Sequence, residues 1–263
     1  MKQIKLDNSP IVYYVSRCVN ADWILFLHAG FANHQMFETQ IDYFKNKNNI
    51  LVIDIIGHGQ SIDTRKGDSI DKTADWIKEI LNKENIDKIH VVGFCLGAVL
   101  AQDFANRYPH NINSLACIGG YDINNFDAAI QKENGTAHMR MMLKALVSIK
   151  WFAKANKKIS AYTKAAQNQF YNMNIQFPKK SFKYLASLNS MINTHKTGKR
   201  NYPLLIGCGE KDFPLAISAL QMWAVNEPDC ITKIFKNAGH CVNMDVPQEF
   251  NAAMELFWNV GLY

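Results

Sequence analysis

Over its first 120 residues the chain alternates between two spacings of apolar positions. "PIVYYVSRC" (10–18) and "DWILFLH" (22–28) are rich in β-branched and aromatic residues, which predicts strands. "QMFETQIDYFKNK" (35–47) instead repeats Met36, Phe37, Ile41 and Phe44 at helical spacing. "NILVIDI" (49–55) is apolar almost without interruption, the pattern of a strand covered on both faces. "SIDKTADWIKEILNKENI" (69–86) opens on a capping residue and places Ile77, Ile80 and Leu81 on one face, predicting a helix. "KIHVVGF" then reads as a strand, "LGAVLAQDFANRYP" as a helix and "INSLACIGG" (112–120) as a strand. Strands alternating with helices imply a mostly parallel sheet with helices on both faces.

The alternation stops at 123. Up to 200 every apolar repeat is helical, most clearly in "AHMRMMLKALVSIKWFAKANKKISAYTKAAQ". A buried strand returns at "YPLLIGCGEKD" (202–212), followed by a helix (215–226), a strand "CITKIFKN" (230–237) and a helix "PQEFNAAMELFWNV" (247–260). The expected organisation is an α/β core of residues 1–122 and 201–263 and a helical cap of residues 123–200.

Composition sharpens this division. With 263 residues, 48% of them hydrophobic, the chain can build one large core, and global disorder is excluded. The formal charge of +6 is uneven: residues 123–200 hold 14 Lys and Arg against only Asp127 and Glu133. Two surfaces of opposite sign are therefore expected. "MKQIKLDNSP" lacks the apolar run of a signal peptide, and no apolar run approaches a membrane span. The six cysteines (18, 95, 117, 208, 230 and 241) form no CxxC pair, so a reducing cytoplasm is the expected compartment. His34, His90, His110, His138 and His195 show no metal-ligand spacing, and neither GxxxxGK[ST] nor GxGxxG occurs. No metal, organic cofactor or nucleic acid is expected.

The candidate chemistry centres on "GFCLGA" (93–98), where a strand turns into a helix. A nucleophile held in such a turn needs small neighbours two positions away on either side, and Gly93, Gly97 and Ala98 supply them. The turn also puts the Cys95 sulfur at a helix N-terminus, which favours thiolate. His28, Ala29 and Gly30 end an earlier strand, Asp212 follows another, and His240 follows the last. The C-terminal ends of parallel strands are where such sheets place a site. Asp122, after the sixth strand, is an alternative acid. His58 reads as a loop fastener.

These residues resemble the α/β-hydrolase superfamily from about residue 10 to the end. "HAGF" resembles its oxyanion loop, "DIIGHGQS" (54–61) its D-x-x-G-H-G-x-S loop, and "GFCLGA" its elbow. "GEKDFP" resembles its acid loop and "AGHCVNMDVPQEF" its histidine loop. The capped branch of esterases, lactonases and carbon–carbon hydrolases is the most similar, with a helical insertion after the sixth sheet strand. Cysteine at the elbow is the departure, and is similar to dienelactone hydrolases, polyhydroxyalkanoate synthases and some thioesterase-like acyltransferases.

The resemblance implies Cys95 as nucleophile, His240 as base and then acid, and Asp212 orienting the imidazole. It implies an oxyanion hole from the backbone N–H groups of Gly30 and Leu96, with Phe31 and Phe94 as tentative substrate contacts. The implied activity is hydrolysis of an ester, thioester or lactone through an acyl-cysteine. Acyl transfer from the same intermediate, or a ligand-binding sensor on the same scaffold, are the alternatives. The basic cap suggests a small acyl substrate that is anionic, or carried on coenzyme A or an acidic carrier protein; a basic amphipathic helix lying on an anionic membrane, or a merely solvated Lys-rich face, are the alternatives. Within the cap, residues 139–158 set Met139, Met142, Leu143, Leu146, Ile149 and Phe152 near one face. Arg140, Lys144, Lys150, Lys154, Lys157 and Lys158 fall largely elsewhere.

Overall fold

The computed structural model describes residues 1–126, 145, 147–195 and 200–260. Met139, Arg140, Met142, Leu143, Lys144 and Leu146 lie outside these residues. Eight strands run in chain order: β1 (Lys2–Lys5), β2 (Val12–Ser16), β3 (Trp23–Leu27), β4 (Asn49–Asp54), β5 (Ile89–Phe94), β6 (Ile112–Ile118), β7 (Leu204–Gly209) and β8 (Ile231–Phe235). They form one sheet in the order β1-β2-β4-β3-β5-β6-β7-β8. The pairs β1·β2 and β2·β4 are antiparallel, and the rest of the ladder is parallel. This is the α/β-hydrolase fold.

Alternating side chains of the central strands feed two cores. Leu25, Leu27, Leu51, Ile53 and Val91 join one, with Ile77, Leu81, Leu100 and Phe104 of α2 (Thr73–Glu84) and α3 (Leu96–Arg107). Ile24, Phe26, Ile50, Val52, Val92 and Phe94 join the other, with Phe37 and Phe44 near α1 (Glu38–Phe44) and Phe250 from the C-terminal helix. Each such side chain contributes about 1.5–3 kcal/mol on burial, which is why these strands read as unbroken apolar runs. β1 escapes the apolar pattern because it is a largely exposed edge strand. Ser69 makes no side-chain cap bond; a short 3-10 turn (Ile70–Lys72) precedes α2, and Thr73 Oγ1 donates to the Ile70 carbonyl at 2.6 Å.

Between β6 and β7 the described residues hold no strand. They form α4 (Ile149–Ser160), α5 (Lys164–Asn174) and α6 (Phe182–Leu185), with short 3-10 turns. Ser148 Oγ accepts from the Trp151 N–H, and Thr163 Oγ1 from the Ala166 N–H, so both longer helices have side-chain N-caps. α7 (Pro214–Asn226), the short α8 (Val242–Asp245) and α9 (Pro247–Val260) complete the core. Among the described residues no helix is long and apolar enough to cross a membrane.

One buried carboxylate fixes the strand ends below the site. Asp54, the last residue of β4, accepts from the His34 N–H (2.7 Å), the Gln60 N–H (2.8 Å) and Tyr14 OH (3.1 Å). It also pairs with His34 Nδ1 at 3.0 Å, and the His34 ring stacks on Tyr14 at 3.9 Å. Burial opposes its ionisation, but the His34 bond and charge outweigh that and hold its carboxyl below the usual range. Asp54→Asn should therefore lower stability by about 3 kcal/mol at neutral pH, read as a reduced Tm. The stabilisation is complete above the unfolded carboxyl value of about 3.9 and is lost as pH falls through the lower folded value. The difference in stability between the two proteins should accordingly narrow in acid.

Candidate active site

The turn from β5 into α3 is built by backbone crowding. Cys95 adopts φ 51° and ψ −108°, a positive-φ conformation that L residues rarely hold. Its N–H donates to the Ile118 carbonyl at 2.9 Å, which ties the turn to the end of β6. A β-carbon on Gly93 would run into the Gly97 carbonyl, and one on Gly97 into the carbonyl oxygens of Leu27 and His28. Only glycine permits both approaches.

The structure brings Cys95, His240 and Asp212 together. His240 Nδ1 lies 2.7 Å from Asp212 Oδ1, and His240 also hydrogen-bonds Cys95. Because Asp212 occupies Nδ1, the bond to sulfur falls to the opposite ring nitrogen. Asp212 Oδ1 also accepts from the Phe213 N–H at 2.7 Å, while the Phe213 ring packs 4.8 Å from the imidazole. Asp122 is occupied elsewhere, accepting from the Asn124 N–H at 2.9 Å and Asn125 Nδ2 at 3.0 Å.

The charges of the pair are mutually reinforcing. Burial alone would raise the Cys95 thiol, but the His240 charge, the His240 hydrogen bond and the Leu96 N–H together bring it below its ordinary value. Burial alone would likewise lower His240, yet Asp212 and the Cys95 sulfur lift it well above an ordinary imidazole. The other buried thiols move the opposite way: burial raises Cys117 and Cys241, and pushes Cys208 up to about 12.

Around the pair, the Leu96 N–H hydrogen-bonds the sulfur, and Gly30 adjoins Leu96, a β-carbon built on it falling 3.9 Å from Leu96 Cβ. The Phe31 ring is held by Phe152 (4.6 Å), Phe177 (4.9 Å) and Phe182 (5.7 Å), all from the insert. Phe94 is buried between Phe37 and Phe250, in the wall behind the turn. Tyr121 has no counterpart in the sequence reading. Burial, and then the charge of the Cys95 sulfur, push its hydroxyl up to about 12, so it is neutral at pH 7.

His28 and His58 are structural. His28 Nδ1 donates to the Ala29 carbonyl (2.8 Å) and Nε2 accepts from the Ile55 N–H (3.0 Å). His58 Nδ1 lies 3.0 Å from the Ile56 carbonyl. Burial brings the two imidazoles down to about 4 and about 3, so both are neutral at pH 7. Among the described residues, no three His, Cys, Asp or Glu gather as a metal site.

The insert also grips the histidine loop. Asp245 accepts from the Tyr162 and Thr163 N–H groups at 2.9 and 2.7 Å and from the Gly239 N–H at 2.9 Å. The Cys241 N–H donates to the Ser160 carbonyl at 2.8 Å. Asp245 thereby clamps the residue before His240 to the turn joining α4 and α5. Sequence spacing offered no sign of this, since the partners lie 82 and 83 positions away.

A family model described as the alpha/beta hydrolase fold matches residues 22–139. The (E)-2-((N-methylformamido)methylene)succinate hydrolase of Acinetobacter baylyi is 19% identical over 97% of this chain and 96% of its own length. A carboxylesterase of Bacillus subtilis, itself uncharacterized, is 23% identical over 90% of this chain and 79% of its own. Among solved structures, Est816, described as an N-acyl homoserine lactone degrading enzyme, aligns with TM-score 0.76 at 19% identity, covering 97% of this chain and all of that one. The chain thus has the α/β-hydrolase fold and is similar to that family over residues 22–139, with a hydrolase and a carboxylesterase among the proteins it resembles over most of its length.

Two outcomes are expected. Limiting iodoacetamide near neutral pH should label Cys95 ahead of the other five thiols, with a rate that persists below the ordinary thiol range and falls only as acid protonates the pair. Preferential labelling of Cys18 or Cys230, read by mass spectrometry, would contradict it. Asp245→Ala should leave the fold intact by circular dichroism but lower kcat on a nitrophenyl ester about a hundredfold, since a small displacement of His240 suffices.

Proposed function

We propose that the chain hydrolyses a small carboxylic ester, thioester or lactone through a covalent acyl-cysteine. The observation that supports this most is the hydrogen-bonded line from Asp212 through His240 to a thiol held at positive φ and lowered toward thiolate. The esterase- and lactonase-like names of the homologues favour hydrolysis over transfer.

In this reading the Cys95 sulfur attacks the acyl carbon, and the carbonyl electrons move onto oxygen. The Leu96 and Gly30 N–H groups would bond that oxyanion. The His240 cation then gives its proton to the leaving oxygen or sulfur as the C–O or C–S bond breaks. Neutral His240 takes a proton from water, hydroxide adds to the thioester, and the acid leaves as the sulfur regains its charge. Asp212 keeps Nδ1 protonated and stabilises the imidazolium throughout. A carboxylate substrate, or an acyl group on coenzyme A or an acidic carrier, would be drawn by the lysines of the insert.

Quenching the reaction with a nitrophenyl butyrate should leave one butyryl group on Cys95, found by peptide mass spectrometry. Cys95→Ala should abolish both adduct and turnover. Asp212→Asn should cut kcat by about 10⁴ with the fold retained, and Asp122→Asn should be mild. A butyryl group on another residue, or the reverse order of the two Asp variants, would overturn the assignment. Release of butyrate in water, against butyryl transfer to added amine or thiol, distinguishes hydrolysis from acyl transfer.

A further inference from the structure

α4 has two faces with different obligations. Phe152, Ala153, Asn156 and Ser160 are buried, Phe152 against the Phe31 ring of the oxyanion loop and Asn156 through its Nδ2 bond to Asn174 Oδ1 at 2.7 Å. The opposite side is exposed and carries Trp151 among lysines, with Ile159 at its edge. Val147, Trp151, Ile159 and Tyr162 are 73, 52, 46 and 50% exposed. Trp151 and Ile159, eight residues apart on the helix, form a stripe along its exposed side, with Val147 before the Ser148 N-cap and Tyr162 in the turn that follows. Lys150, Lys154 and Lys158, all exposed, run beside it at the same four-residue repeat.

Charge decides what this stripe fits. Residues 147–195 contain eight lysines and not one Asp or Glu. A surface meant only for water carries both signs, interspersed, and keeps large apolar side chains apart. An acid-free helix with Trp on its stripe, Tyr in the turn that follows and lysines at its edge has the composition of one lying in a lipid interface. There aromatic rings sit at headgroup level and lysine stems extend so that their ammonium groups reach phosphate.

We propose that the exposed side of α4, with Val147 and Tyr162 flanking its two ends, docks peripherally on an anionic phospholipid bilayer. Docking there sets the sheet's C-terminal edge toward the lipid, because the inner face of the same helix touches Phe31 and its last residue, Ser160, holds the Cys241 N–H. The surface stands independently of the acyl chemistry proposed for Cys95, and is tested without it.

The intact protein is sedimented with sucrose-loaded vesicles of phosphatidylglycerol and phosphatidylcholine, and with vesicles of phosphatidylcholine alone. Binding is expected to the first, to weaken with salt, and to be near absent for the second. Lys150→Glu/Lys154→Glu/Lys158→Glu and Trp151→Ser/Ile159→Ser should each lower the partition coefficient at least about tenfold. Both variants should remain folded by circular dichroism. Absence of binding to the anionic vesicles at low salt would overturn the proposal. So would loss in the lysine variant with full binding in the Trp151/Ile159 variant, which would mean charge adsorption alone. A concentration-dependent dimer in sedimentation velocity, abolished by Trp151→Ser/Ile159→Ser, would assign the stripe to a second copy of the chain and overturn it too.

Discussion

The contact on which the site depends is the close approach of the first turn of α3 to the end of β3. Gly97 sits against the carbonyl oxygens of Leu27 and His28, with no room for a β-carbon between them. That approach brings the residue leaving β5 and the loop leaving β3 side by side, so Leu96 and Gly30 adjoin. It also leaves Cys95 no choice but a positive φ, which lifts its sulfur out of the sheet toward the last loop of the chain. Cost is concentrated at one residue, and the packed sheet on either side keeps it there.

The electrostatics of the site follow from what that geometry places near the sulfur. Burial raises thiols, as it does at Cys117, Cys208 and Cys241 in the same sheet and loop. Cys95 escapes the trend because a cation with its own buried carboxylate partner stands beside it. The same burial keeps His28 and His58 neutral, whereas His240, held by Asp212 and the Cys95 sulfur, is shifted the other way, well above an ordinary imidazole.

Much of this was legible in the sequence because it is local. Continuous apolar runs mark strands covered on both faces, and the glycines around Cys95 mark a turn with no room for side chains. Asp212 and His240 each follow a strand directly, so their place at the sheet's C-terminal edge follows from the order of elements. What was not legible is long-range. β1 carries no apolar alternation because neither of its faces is fully covered. Asp245 reads as one more acidic residue after the histidine, since its donors at Tyr162 and Thr163 lie across the fold. Phe31 has a neighbourhood of aromatic rings that no spacing within "HAGF" could reveal, and its ring serves the join between insert and core.

That join has a consequence for how such a protein can change over evolutionary time. The insert looks like a detachable cassette, a run of helices entered and left at the same sheet edge. Yet it carries half of the stitching that holds two loops from opposite ends of the chain in register: aromatic rings for the loop at Phe31, backbone donors for the loop at Asp245. Grafting a foreign insert onto this core would remove both sets of stitches at once. New specificities would thus have to arise by gradual drift within the insert, in step with Phe31 and Asp245, rather than by wholesale exchange.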